Sequence, residues 1–266
     1  MSERAPDTCS VRYRVRFDEA APDGRLRTSV LLRYAQDLAW HHSASRGFGR
    51  AWYAERGLTW LVRAAEVAVL APIEVGSEIE GTTQVIGWRR VWARRRTDFR
   101  DPAGDLVAWS RIDWVLLDRN GAPTRIPSEF DAVFGAPTVS TSVARVTLGP
   151  APDGAGRHRY AVRPQELDPM DHVNNAVYAD WLDEAVIVAG DGASARAIPR
   201  LARLEYIAPA ASGSEVAAEV WPALEGWSMR LRDGAGNELL RARLETPESV
   251  MAAPDRRVAQ SPSIRG

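Results

Sequence analysis

Cysteine is almost missing from this chain: Cys9 stands alone among 266 residues, so no disulfide can form within it. That fits a reducing cytoplasmic setting, and no helical context lowers the pKa of the lone thiol toward a nucleophile's. Long apolar runs are missing too. No stretch approaches the roughly 18 residues that span a bilayer, and "MSERAPDTCS" has no signal-peptide core. Neither sign of charge prevails, with 34 Lys plus Arg against 35 Asp plus Glu. The balance gives no general pull toward nucleic acid or anionic membrane. What remains is 45% hydrophobic and 26% charged, an ordinary globular composition sufficient for one large domain or two small ones.

The chain is written twice. "YAQDL" at 34–38 and "YADWL" at 178–182 share YAxxL at an offset of 144. "APIEVGSEI" from Ala71 and "APAASGSEV" from Ala208 share AP and GSE at an offset of 137. "RDPAG" at Arg100 and "RDGAG" at Arg232 follow at 132, so the second copy has shorter connections. Fixed-order self-similarity of this kind marks a duplicated unit. The expected organisation is a first unit at 10–136, a Pro/Gly-rich linker at 137–157, a second unit at 158–246 and a loose tail at 247–266.

Each copy has the same order of elements. A short strand ("VRYRVRF", "RHRYAVR") precedes one substantial helix. In the first helix Leu31, Leu32, Tyr34, Ala35 and Leu38 recur at helical spacing, and Gly47 marks its end. In the second, Val177, Tyr178, Trp181, Leu182, Ala185 and Val186 do the same, and Gly190 marks its end. Alternating β-rich segments then follow, separated by turn signals such as "DPAGD". A helix followed by an antiparallel meander predicts an α+β unit, a sheet wrapped around one helix. Two such units in tandem would bring two sheets edge to edge.

This arrangement resembles the hotdog fold in a tandem double form, and the words of the sequence resemble the acyl-ACP thioesterase family. "LTWLVRAAEVAVLAPIEVGSEIEGTTQV" and "ARRRTDFRDPAGDLVAWSRIDWVLLD" with "RIP" look like its first-domain signatures. "LDPMDHVNNAVYADWLDEAV" is similar to its L-D-x-N-x-H-V-N-N-x-x-Y-x-x-W helix entry. The resemblance covers roughly 10–245. It implies hydrolysis of fatty acyl-ACP to free fatty acid and holo-ACP, with acyl carrier protein as partner and no cofactor. The second unit would be the catalytic half and the first the acyl-binding half. An acyl-CoA thioesterase, a hotdog hydratase or dehydratase, and a non-catalytic acyl-thioester binder are the alternatives.

The chemistry agrees with the resemblance. Thioester hydrolysis needs an activated water and a donor for the oxyanion, and a helix N-terminus offers free N–H groups. Asp168, Asp171, His172, Asn174 and Asn175 all precede the second helix. Asp168 and His172 are the expected catalytic pair. Asn174 and Asn175 would hold the carbonyl, or else merely cap the helix. The family's Asn two residues after the Asp is Met170 here, and Pro209 stands where its catalytic Glu is expected. Asp171 and Glu205 are the candidate replacements, Asp171 as a catalytic group and Glu205 as a substrate contact. Stepping back by 144 from 168–172 reaches "GRLRT", which has no carboxylate or histidine, so one copy would carry the site.

Trp60, with Trp40, Trp52 and Phe48, is expected to wall the acyl tunnel, although packing alone would also explain these aromatics. Arg89, Arg90, Arg94, Arg95 and Arg96 form either a solvated strand face or a docking patch for the acidic carrier. His41 and His42 cannot share an ion, since neighbours on a helix point about 100° apart, and no metal is expected. One tandem chain already contains the hotdog pair, so either a monomer or a homodimer would serve.

Overall fold

The computed structural model describes residues 7–135 and 143–246. The expected tail at 247–266 and the first part of the expected linker lie outside those residues. The first copy runs β1 (Thr8–Arg14), α1 (Thr28–Ser45), α2 (Arg50–Arg56), β2 (Thr59–Val69), β3 (Glu78–Arg89), β4 (Trp92–Arg100), β5 (Leu106–Leu117) and α3 (Glu129–Phe134). The second runs β6 (Gly156–Ala161), α4 (Val177–Val188), α5 (Gly192–Ala195), β7 (Arg200–Tyr206), β8 (Glu215–Ala223), β9 (Gly226–Asp233) and β10 (Glu238–Glu245).

The two sheets meet edge to edge and fuse into one antiparallel sheet of ten strands, ordered β1-β3-β4-β5-β2-β7-β10-β9-β8-β6. The seam is β2 against β7, paired from Ala64↔Glu205 to Val69↔Arg200. Every ladder is antiparallel, which a meander of short connections requires. This is the α+β tandem double hotdog, each half wrapped on its own helix.

Strand alternation sorts side chains between the two faces. Ala65 and Val67 of β2 turn inward to the helices and are buried in the main core. Between them Glu66 turns outward and is hydrogen-bonded or ion-paired to Arg111 of β5 and Arg203 of β7. Arg203 also bonds Glu245 at 3.0 Å, so a chain of charges spans the seam on the outer face. After the undescribed segment, the chain crosses that face. Ala144 N donates to Asp113 Oδ2 at 2.7 Å and Val146 N to Glu205 Oε2 at 3.0 Å.

α1 and α4 share one continuous core beneath the sheet. Leu31, Leu32, Ala35 and Leu38 form the buried stripe of α1, which ends before Gly47 at φ +88°. Where α1 passes β3, Gly81 leaves the room: a Cβ there would lie 2.7 Å from Leu38 Cδ1. The short helices α2 and α3 were not expected. They pack Tyr53 and Phe130 with Phe48, Trp88, Leu116 and Ile126 into a second apolar cluster of the first copy. Among the described residues no helix is long and apolar enough to cross a membrane.

Candidate active site

The stretch 166–176 folds into a tight turn ahead of α4. Leu167 bridges Val173 and Asp168 N donates to His172 O at 2.8 Å, closing the turn. Asp168 Oδ1 accepts from Met170 N at 2.8 Å and from His172 N at 3.4 Å. The carboxylate is thus oriented through one oxygen, while Oδ2 has no hydrogen bond among the described residues. His172 is pinned by a backbone bridge to Ala211, and its ring makes no hydrogen bond among those residues.

The first copy contains the same turn, which sets the correspondence. Ala20 bridges Leu26 as Leu167 bridges Val173, and Gly24 at φ +81° stands where Asp171 adopts φ +59°. The counterpart of "DPMDH" is therefore "APDGR" at 21–25, three residues away from the sequence offset. Ala21 replaces the aspartate and Arg25 the histidine. From this turn to the helix tyrosine, the second copy is three residues shorter, Leu26 to Tyr34 against Val173 to Tyr178. The shortening leaves Asn174 and Asn175 as a turn at the mouth of α4 instead of a first helical turn. In the first copy Tyr34 donates to Glu19 at 2.6 Å and stacks on Tyr13 with ring centroids 4.0 Å apart, so that helix entry is filled.

A cavity of about 730 Å³ opens at the turn and runs under the sheet from the second copy into the first. Asp168, Met170, His172, Asn174, Asn175 and Tyr178 line its mouth, and Trp60, Tyr53, Arg95 and Phe130 line it within the first copy. Asn174 is engaged: Oδ1 accepts from Ala176 N at 2.9 Å and Nδ2 donates to Gln36 of α1 at 3.4 Å. That arrangement supports the turn. Asn175 is different, because neither its side chain nor its N–H has a partner among the described residues. Its carbonyl accepts from Tyr206 Oη at 2.9 Å.

Tyr178 was expected only as part of the helix core, yet its hydroxyl reaches the cavity. It accepts from Ala210 N at 3.0 Å. Burial, and secondarily the negative charge of Asp168, push its pKa up to about 12, so it stays protonated. Its place in the YAxxL repeat is the signal that was available. Gln36 belongs to the other copy, and nothing in its local sequence announces it.

Two expected residues fall outside this group. Asp171 is exposed at the left-handed turn position and does not line the cavity. Glu205 lies on the outer face of β7, buried under Val146 and near Arg63, Arg145 and Arg241 at 3.6–3.9 Å. Strand alternation decides this: Tyr206 faces the cavity, so its neighbour faces away. Neither lines the cavity, while Met170 and Pro209, at the Asn and Glu positions of the resembled pattern, stand on its wall. Of the aromatic candidates, Trp40 and Trp60 line the cavity, while Phe48 and Trp52 stand outside its lining, Phe48 buried in the second cluster and Trp52 packed against it.

The arginine run is divided among three environments. Arg94 forms a two-bond pair with Asp113 at 2.6 and 2.8 Å, and Arg96 pairs with Asp98 over the Trp109 ring. Arg95 turns inward to the cavity, and Arg89 and Arg90 are exposed. His41 is exposed beside Asp37, whereas His42 is buried.

Comparison with known proteins gives the family of the chain. Residues 6–134 match the acyl-ACP thioesterase N-terminal domain and residues 151–239 match the acyl-ACP thioesterase C-terminal domain. An uncharacterized Mycobacterium tuberculosis protein is 27% identical over 192 residues, 71% of this chain and 72% of its own. An acyl-ACP thioesterase from Bacteroides thetaiotaomicron superposes with a TM-score of 0.76 at 16% identity, covering 90% of this chain and 97% of that one. The 12:0-ACP thioesterase from Umbellularia californica gives a TM-score of 0.74 at 23% identity, covering 90% and 96%. At such identities the structural likeness speaks for the fold. With both family domains matched in order, the chain belongs to the acyl-ACP thioesterase family of thiolester hydrolases.

Proposed function

We propose that Asp168 and His172 carry out thioester hydrolysis at the mouth of the cavity, with Asn175 holding the carbonyl oxygen. The observation that carries this reading is the state of Asp168: one oxygen is fixed by two backbone N–H groups and the other is left open toward the cavity side. The open oxygen takes a proton from water as the water oxygen attacks the thioester carbon. Charge then develops on the carbonyl oxygen, where the unpartnered N–H of Asn175 and the positive end of α4 stabilise it. The C–S bond breaks, His172 delivers a proton to the departing sulfur, and the Asp168 proton is lost to solvent as His172 regains one. Tyr178 and Tyr206 act by position, fixing Ala210 and Asn175 around the reacting group.

The substrate is a fatty acyl chain on acyl carrier protein, hydrolysed in the cytoplasm. Exposed Arg89 and Arg90 are the members of the arginine run available to dock the acidic carrier. One chain supplies both halves of the cavity, so a monomer suffices. Free-thiol release from matched acyl-ACP and acyl-CoA panels, with 3-hydroxyacyl and enoyl thioesters alongside, tests the reading. The expected result is thiol release with acyl-ACP favoured. Hydration without thiol release, or tight binding without turnover, would overturn it.

A further inference from the structure

The inner end of the cavity holds a charge that an ordinary fatty acyl tail does not need. Arg95 of β4 is only 7% exposed and lines the cavity. Its Nη1 meets Nδ1 of His42 at 2.8 Å and Thr83 Oγ1 at 3.5 Å. Its other N–H groups have no partner, and no carboxylate lies within ion-pair distance of it, among the described residues. Burial pulls its pKa down to about 10, which still leaves it charged at neutral pH.

The nearest negative charge stands one residue further away. Asp7 meets Nε2 of His42 at 3.1 Å and is also ion-paired to Arg46. His42 is held below its ordinary pKa by burial and then by Arg95, so it is neutral at pH 7. The group Arg95, His42, Asp7 and Arg46 therefore carries one net positive charge, and Arg95 is its member that lines the cavity. A buried charge without a counter-charge is costly.

Arg95 pairs across with Ile112 on the inner face of the sheet. A guanidinium donates and does not accept, so its missing partner is an oxygen acceptor.

The position suits the far end of an acyl chain. Arg95 stands in register with Ile112, Ala65 and Leu204 across β4, β5, β2 and β7. Three interstrand steps of about 4.8 Å place it roughly 14 Å from the strand that carries Tyr206 at the mouth. That is the reach of a medium-length chain whose thioester lies at Asp168.

We propose that the acyl group taken by this cavity ends in a carboxylate, so that the substrate is a carrier-bound monothioester of a dicarboxylic acid, with Arg95 as the anchor of the distal carboxylate. The proposal rests on the thioesterase reading above for the reacting end alone. Arg95 determines specificity and takes no part in the bond-breaking step.

The test uses the full chain and carrier-bound thioesters of equal length ending in methyl, hydroxyl or carboxylate. Wild type should show kcat/KM at least tenfold higher for the carboxylate-ended chain than for the methyl-ended one. Arg95→Met should abolish or invert that preference, and Arg95→Lys should keep part of it. A structural role alone would lower activity on all three tails equally. Thermal shift of the wild type with free dicarboxylic and monocarboxylic acids gives an answer that needs neither turnover nor a folded variant. Stabilisation by the dicarboxylate alone supports the anchor even if no thioester is cleaved, in which case the thioesterase reading fails separately. Wild-type preference for the methyl- or hydroxyl-ended chain, or a carboxylate preference unchanged in Arg95→Met, overturns the proposal.

Discussion

Nδ2 of Asn174, in the second copy, donates to Oε1 of Gln36, on the helix of the first copy, at 3.4 Å. The turn that holds Asp168 and His172 in one copy is thus supported by the other. Gln36→Ala should lower kcat/KM about fivefold, the equivalent of one hydrogen bond of about 1 kcal/mol. Steady-state kinetics beside a melting curve checks this: the melting temperature should hardly move. An unchanged kcat/KM would separate the two copies functionally.

Tyr178→Phe removes the only acceptor that Ala210 N has among the described residues. A buried N–H left unpaired costs about 1–3 kcal/mol, so the melting temperature should drop by several degrees. Activity should fall as well, because the 208–211 segment that pins His172 loses its tie to α4. Calorimetry of the variant against wild type decides this.

Gly81→Ala should destabilise the first copy by about 1–3 kcal/mol, the usual cost of overpacking. The added methyl would sit 2.7 Å from Leu38 Cδ1 and 3.1 Å from Phe99 Cε1, both in the core. Denaturant unfolding with an unshifted midpoint would mean that α1 lies further from β3 than described here.

Acid should loosen the protein through His42. Burial and Arg95 hold its folded pKa below the value in the unfolded chain. The unfolded state therefore binds the extra proton first, and stability is lost as pH falls below about 6.5. His42→Gln keeps an acceptor for Arg95 and should flatten that part of the stability profile. Melting temperatures from pH 7.5 down to 5 for both proteins give the comparison.

How much of this was legible in the sequence differs by element. The four strands of the first meander and both central helices follow from period-2 and 3.6-residue patterning, and Gly47 and Gly190 stand just past the two helix ends. Helices α2 and α3 were missed because "RAWYAERG" and "EFDAVF" are too short for a period to emerge. Their aromatic residues are fixed by tertiary packing. At the site, Asp168 and His172 sit where the sequence words placed them, at the cavity mouth. Glu205 and Asp171 went astray for local reasons, strand alternation for one and a left-handed turn for the other. Arg95 looked like one of five charges in a surface run, and only its facing strands turned it inward.

Hydrolysis at a single site turns most directly on Asp168. Thiol release from acyl-ACP should fall by about a hundredfold or more in Asp168→Asn, while the affinity for a non-hydrolysable acyl-ACP analogue stays within a few-fold of wild type, at one analogue per chain. Hydrolysis surviving in the variant, or two equivalent analogues bound per chain, would contradict a single catalytic turn built by the second copy and walled by the first.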